Sequence, residues 1–566
     1  MSKNVLVAIA WPYVNGELHI GHLAGYLLPA DICARFHRAI GNNVLMVSGS
    51  DCHGTPITVE ADKKGLTPPD IVKEYHAKDV HLFKNVLKLS YDNYTKTDTK
   101  NHAEITQAFF LSLLENDYIE IKTQKQYFSP TENRFLPDRY VVGECPFCGF
   151  EEARSDQCDD CGKLINQGEV INPKSNISGD PVILKDTEHY FVNWEKAQKN
   201  LNLEKYIDET SKKYYWKNWV YQQTKGWLKE GLQSRAITRD LDWGVPLPID
   251  QIPKDKQIEN INNKRFYVWF DAVIGYYSAS IEWAKEIVKE PNAWEKFWYD
   301  NKNNNEITHY YFMGKDNLVF HTLFWPAKLK VFDKSLHLPD VQAINQYLNF
   351  AGKQFSKSRG HSIKIEDIVN EYGNDAVRFY LTLIMPETKD SSFSWEDFVE
   401  RVNGDLVNNL GNFIQRTLSL GIDTKLDSTK MDSNIKTKIE ESFANARDYL
   451  EKAQFRDYLQ VVLELSSKGN EYVNENTVWE SKKTNAEKFS SEIATLYSIV
   501  VALATLLIPL LPDASKNIFN LLNIKDQNFW PEISQEIRDI QNIMDNIDTK
   551  VKPVPLFKRL DPIESK

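Results

Sequence analysis

Sulfur is scarce in this chain of 566 residues, which has six cysteines and six methionines. So few thiols exclude a secreted disulfide scaffold, and four of the six crowd between Cys145 and Cys161. Long uncharged runs are scarce too. Ile493 to Leu511 approaches the ~20 residues that span a bilayer. Thr495, Ser498, Thr505 and Pro509 interrupt it and no Lys or Arg follows at once, so a buried core helix is expected and no membrane partner. The amino end, MSKNVLVAIAWPYVNG, has one Lys before a short apolar run, lacks a small-residue cleavage site and meets Pro12 at once. That reads as a buried strand, not a secretory signal. Positive charge is in deficit, because 68 Lys and Arg against 79 Asp and Glu give −11 with histidines neutral. The balance argues against tight, sequence-independent binding to nucleic acid. Internal repeats are absent, and the one low-complexity tract is NKNNNE near position 301. At ~150 residues per domain, a soluble, cytoplasmic chain of three to four domains is expected.

Hydrophobic periodicity divides the chain. Val5 to Ala10, a glycine-bearing loop, the helical run LAGYLLPADICARFHRAI and the strand NNVLMVS follow in order, a pattern of a parallel sheet with crossover helices. Ligands collect at the carboxyl ends of such strands, where Asp51 and His53 fall. From about Tyr118 short strands and turns surround the cysteines. The α/β pattern returns with FYVWFDAVIGYYSASIEWAKEI and HYYFMGKDNLVFHTLFWPAKL, each read as an aromatic strand followed by a helix. From Asp397 the text is helical, and Leu406, Leu410, Phe413, Ile414 and Leu418 keep the spacing of one buried face. The expected fold is α/β, a parallel-sheet domain split by an insertion and followed by an α-helical bundle. Its boundaries are 1–117 and 211–332 for the halves of the sheet domain, 118–210 for the insertion, 333–396 for a connecting region and 397–566 for the bundle.

Three constellations carry chemistry. His19-Ile20-Gly21-His22 sits where a strand-loop enters a helix, so backbone N–H groups and the helix dipole favour an anion there. The imidazoles share one face of the first turn, and Gly21 leaves room for a flat ring. The competing reading is a pair of helix-capping histidines. Ser356-Lys357-Ser358-Arg359-Gly360 is a polar loop after a strand that can place Lys357 against phosphates, where a preorganised donor is worth roughly 3–4 kcal/mol. Alone, such a basic loop is usually solvated surface, and it becomes specific only beside the histidine motif. Cys145-Pro-Phe-Cys148 and Cys158-Asp-Asp-Cys161 form two CxxC pairs that suit four thiolates on one tetrahedral Zn²⁺. With every position filled by thiolate, one structural zinc is expected; disulfides are the alternative.

In the same order and over almost the whole chain, AWPYVNGELHIGHLAGY, GSDCHGTPI, FLPDRY, FYVWFDAVIGYY, MGKDNLVFHTLFWPA and SKSRG resemble the class I aminoacyl-tRNA synthetases, and within them the methionyl-tRNA synthetase family. The resemblance implies a Rossmann-type catalytic domain, a zinc-bearing connective insertion, a stem-contact region with the lysine loop and an anticodon-binding bundle. It implies that methionine and ATP, the latter entering with Mg²⁺, give methionyl-adenylate, whose aminoacyl group passes to initiator or elongator tRNA(Met). By the same resemblance His19, Gly21, His22, Gly314, Asp316 and Lys357 serve ATP, with His19, His22 and Lys357 catalytic. Asp51 takes the substrate amino group, and Tyr13, Trp269, Ala272, Tyr276 and His321 form the methionine pocket, where aromatics suit a thioether. Asn412, Arg416 and Trp479 match anticodon residues; Asn and Arg offer donors to base edges, and a Trp can stack an unpaired base. A hydrophobic pocket separates substrates one methylene apart by only ~1–3 kcal/mol. The chain leaves no room for a large editing domain, which favours methionine over the branched aliphatic amino acids.

Some positions depart from the family. Gln354 replaces the first lysine of the usual KMSKS loop, with Lys353 one residue earlier; Val273 and Asn317 stand where proline and an aliphatic residue are common. A second knuckle of some relatives falls on Ser129, Glu132, Ser175 and Ser178 here, which fixes the expectation at one zinc. No C-terminal dimerisation module follows, so a monomer is expected. Two alternatives remain, a small-molecule nucleotidyltransferase with an HxGH motif and a non-catalytic tRNA-binding paralogue.

Overall fold

The computed structural model describes residues 2–561 apart from 138–139, 156–157, 159, 162–164, 166–167, 301–305, 351–352, 355–362, 526 and 528–529. Its centre is a parallel sheet of five strands, β1 (Asn4–Ile9), β2 (Asn43–Ser50), β3 (Asn93–Lys96), β4 (Ile307–Gly314) and β5 (Val341–Asn345), in the order β5-β4-β1-β2-β3. Val5 of β1 registers with Val44 on one side and Thr308 on the other. Helices cover both faces, so β1 is buried at every residue and reads as a continuous apolar run from Val5 on. The chain builds β2 and β3 to one side of β1, then returns on its other side as β4. The gap between β1 and β4 is therefore the topological switch point, where parallel sheets hold ligands.

The insertion is an antiparallel unit. Ile119–Ser129 pairs with Ile183–Val192, flanked by Arg134–Phe135 and Arg235–Ala236. At its tip Val141–Glu144 lies between Ala153–Arg154 and Ile171–Ser175. The aromatic run before the second half of the sheet departs from the strand expected of it. Only Lys264–Phe266 forms a strand, paired with Thr238–Asp240 away from the main sheet, and Val268–Asp271 is already helical. Packing overrides aromatic β-propensity there, because Trp269 stacks on Phe320 with ring centroids 4.8 Å apart.

The carboxyl-terminal third is helical, built on Ser433–Glu451, Phe455–Glu475, Ala486–Leu506, Pro512–Leu521 and Glu536–Met544. Leu406, Leu410, Phe413, Ile414 and Leu418 are buried as their spacing requires, the first two on a π-helical stretch, Val402–Gly411. Ala486–Leu506 is long and apolar enough to cross a membrane, but 89% of its most apolar window is buried inside the fold. It is the core helix of the bundle. One continuous hydrophobic cluster joins it to the helix-covered face of β1 and β2.

Candidate active site and metal centre

The histidine turn follows β1 at the switch point. His19 is the N-cap of the helix that opens at Ile20–His22, passes through a π-helical turn at Leu23–Leu27 and continues as Leu28–Ala39. The N–H of Gly21 donates to His19 Nδ1 and the N–H of His19 donates to His22 Nδ1, each at 3.2 Å. The capping reading is thus realised, and it has a chemical consequence. With both Nδ1 atoms accepting, each neutral imidazole carries its proton on Nε2, which makes that nitrogen a donor. The rings lie 3.8 Å apart at a partly exposed helix N-terminus, whose dipole favours negative charge.

Across the switch point, Gly314 ends β4; a Cβ there would meet nothing within 4 Å, so the position is open to a ligand. Asp316, exposed in the next turn, accepts a hydrogen bond from Tyr347. Lys357 and its serines lie outside the described residues, but the chain just beyond them is placed. The N–H of Ile20 donates to Ile363 at 3.1 Å, His19 bridges to Lys364, and Lys364 pairs with Glu17 at 2.5 Å. Ile363 and Lys364 therefore lie on the histidine turn.

Asp51 follows β2 and is 2% exposed. Burial, and next the charge of Asp271, hold its carboxyl well above the usual carboxylate range. A buried carboxylate of this kind gains from an ammonium partner. Tyr13 bridges to Asp51 and meets Trp269 edge-on at 6.1 Å. Deeper in, His321 donates from Nδ1 to the Asn317 carbonyl at 2.8 Å and accepts at Nε2 from the Tyr276 hydroxyl at 2.7 Å. Burial lowers His321 to about 4, so the ring is neutral and the pair stays a fixed, uncharged wall. Ala272 is buried between these elements. The structure thus brings together Tyr13, Asp51, Trp269, Ala272, Tyr276 and His321.

Sequence reasoning missed the polar frame behind them. Asp271 is fully buried and accepts from His53 Nδ1 at 2.7 Å, with His102 Nε2 at 3.5 Å. Burial alone would raise its carboxyl, but the hydrogen bonds of His102 and His53 bring it below the usual range. Lys328, driven down to about 7 by burial against the opposing charge of Asp271, donates to the Phe270 carbonyl at 2.8 Å. Arg239 was missed too. It stacks on Tyr267 at 4.2 Å and lines, with Tyr13, His53 and Trp269, a cavity of 270 Å³ between the sheet domain and the insertion. Asp271 stands inside the quoted motif FYVWFDAVIGYY, so its signal was present; Arg239 had none.

The four cysteines converge. Their Sγ atoms all lie within 4.8 Å of one another, with Cys145 to Cys161 at 3.8 Å and Cys148 to Cys158 at 3.6 Å. Zn–S bonds of ~2.3 Å set tetrahedral sulfurs ~3.8 Å apart, so the donor set fits zinc. A second turn of the same shape lies at the other end of the ladder between Val141–Glu144 and Ile171–Ser175. The N–H of Gly149 closes on the Cys145 carbonyl at 3.0 Å with φ 76°, and that of Gly179 on the Ser175 carbonyl at 2.9 Å with φ 77°. Where sulfur would accept, Ser175 Oγ accepts from the N–H groups of Ile177 and Ser178, and Ser129 Oγ accepts from that of Glu132. Glu132 takes the Ser175 hydroxyl at 2.5 Å and the Arg134 guanidinium at 2.9 Å. Oxygen hydrogen bonds and an arginine hold this turn where the first uses thiols.

In the bundle, Arg416 lies 5.0 Å from the Trp479 ring and donates to Asn474 at 2.9 Å. Asn412 is exposed four residues earlier on the same helix, and Trp479 is 37% exposed. The three residues form one surface.

The family described as tRNA synthetases class I (M) matches residues 5–418, and the anticodon binding domain of methionyl tRNA ligase matches residues 424–562. A methionine–tRNA ligase of Roseiflexus sp. (strain RS-1) is 42% identical over 529 residues, covering 92% of this chain and 87% of that one. One of Thermococcus kodakarensis is 40% identical over 540 residues, 93% and 71% of the two chains. Among solved structures, Mycobacterium tuberculosis methionyl-tRNA synthetase in complex with methionyl-adenylate superposes with a TM-score of 0.71 at 21% identity, covering 98% and 99%, and shares the fold. With a histidine turn at the switch point, a four-thiol knuckle in the insertion and these matches across sheet domain and bundle, the chain belongs to the methionyl group of class I tRNA synthetases.

Proposed function

We propose that the chain activates methionine with ATP to methionyl-adenylate and transfers the aminoacyl group to tRNA(Met). The observation that carries this reading is the histidine turn, two Nε2 donors at a helix N-terminus beside the open end of β4. His19 and His22 donate to the triphosphate, Gly21 and Gly314 leave room for the nucleotide, and Asp316 lies by the ribose. Lys357 donates to the pyrophosphate as it departs, where Mg²⁺ entering with ATP would supply further positive charge. Asp51 receives the α-ammonium, which restores its charge, while Tyr13, Trp269, Ala272, Tyr276 and His321 enclose the thioether. Zinc on Cys145, Cys148, Cys158 and Cys161 fixes the insertion, one ion per chain. Asn412, Arg416 and Trp479 read the anticodon of initiator and elongator tRNA. The chain acts as a cytoplasmic monomer, divided at 1–117, 118–210, 211–332, 333–396 and 397–566.

Methionine-dependent exchange of pyrophosphate into ATP, followed by charging of tRNA(Met), tests the reading. Both activities are expected. No exchange would favour a non-catalytic tRNA-binding paralogue, and exchange without charging a small-molecule nucleotidyltransferase.

A further inference from the structure

Three parts of the molecule meet at one guanidinium. Arg378 lies on the helix Asn374–Leu383 and is 1% exposed. Its Nη1 donates to Asp31 at 2.8 Å, its Nε to the Leu510 carbonyl at 2.8 Å and its Nη2 to the Pro509 carbonyl at 2.9 Å. Asp31, fully buried, belongs to the helix that continues from the histidine turn, and its other bonds run to Arg35 and to Ser90. Pro509 and Leu510 follow the carboxyl end of Ala486–Leu506. The other end of that helix is capped by Asn485, directly after the helix Val478–Thr484 that carries Trp479. At 1.5 Å per residue its 21 residues span ~31 Å. One rigid element thus runs from the proposed anticodon surface to Arg378, and Asp31 joins Arg378 to the helix of His19 and His22.

We propose that Arg378 is a positioning residue that seats the bundle on the histidine-turn helix and couples anticodon occupancy to aminoacyl transfer. This rests on the function proposed above. The apolar contacts around the joint are non-directional, whereas a planar guanidinium with fixed donors sets an orientation. Stability alone is a weak reason to bury such a pair, since apolar replacements are often neutral or stabilising. Neighbouring contacts close the same seam: the Ala514 N–H donates to Asp375 at 2.6 Å and Lys88 pairs with Asp513 at 2.8 Å.

Two variants of the full chain test it. Arg378→Lys keeps a charge for Asp31 and loses the fork to the carbonyls; Arg378→Met with Asp31→Asn removes both charges of the pair and leaves Arg35 on the Lys88 carbonyl. Pyrophosphate exchange and melting temperature are measured beside charging of tRNA(Met) transcripts with the cognate and with an altered anticodon. Exchange is expected to stay within about twofold of the parent, while cognate charging falls about tenfold and the cognate-to-altered ratio narrows. Equal losses in exchange and charging, unchanged charging, or failure of both variants to fold would each overturn the coupling role. Absence of exchange in the parent chain would instead remove the proposed function itself.

Discussion

At the scale of single residues, the site is shaped by what surrounds Trp11. A Cβ on Gly49 would stand 2.3 Å from Trp11 Cζ3, and one on Gly275 would stand 2.5 Å from Trp11 Cε2. Three of the quoted motifs therefore interlock, since Trp11 follows β1, Gly49 belongs to β2, and Gly275 opens the helix Gly275–Glu282 that carries Tyr276. Gly275→Ala is expected to force the indole aside at a cost of about 1–3 kcal/mol. The measurements are a lowered melting temperature and a raised KM for methionine with KM for ATP little changed; an unaltered KM for methionine would separate Trp11 from the pocket. Lys357 belongs to the same scale. As the donor proposed to meet the departing pyrophosphate, its replacement in Lys357→Ala is expected to slow exchange by about 10²–10³-fold, and a rate near that of the parent would pass the role to another residue.

Among elements, the segment before β5 is held by a histidine between two acids. His337 donates to Asp300 at 2.8 Å and to Asp340 at 2.6 Å, and Asp340 also accepts the His309 N–H of β4. Burial pulls the His337 pKa down, but these two hydrogen-bonded carboxylates outweigh it and hold the ring up at about 9. A group whose pKa rises on folding stabilises the fold below its unfolded value, ~6.5, and loses that contribution as pH climbs through the folded value. The melting temperature is thus expected to fall between about pH 6.5 and 9, and the fall to shrink in His337→Gln. A pH profile identical in the two proteins would show the ring to be neutral.

Legibility in the sequence divides at the same scale. The histidine turn, the CxxC pairs and the helical seam were readable because their residues are neighbours or share a helical period. The Asp271 frame was not, because His53 lies 218 residues away from it and only the return of the chain across the sheet joins them. In FYVWFDAVIGYYSASIEWAKEI the helix begins earlier than the expected strand-then-helix division, at Val268, because aromatic residues favour both strands and buried helices and Trp269 stacks on Phe320.

For the whole molecule, the apolar clusters define which parts melt together. A single cluster runs from Val5 through Phe379 to Leu560, so the sheet domain and the bundle share one core and are expected to melt together in the main transition. The tip of the insertion stands apart. Cys145, Ala153, Cys158, Ile165 and Val170 form a cluster of their own, too small to hold a fold without a metal. The second turn, that of Ser129, Glu132, Ser175 and Ser178, is held by hydrogen bonds and by Arg134. Chelation is therefore expected to release one zinc per chain and to loosen amide exchange around 145–161, with the turn at 175–179 still protected and the main melting transition in place. Replacing Ser129, Glu132, Ser175 and Ser178 together by cysteine should raise the content to two, because the second backbone turn already has the shape that thiols need. Two zinc ions in the parent chain, or loss of the main transition on chelation, would show instead that metal holds more of the molecule than the first knuckle.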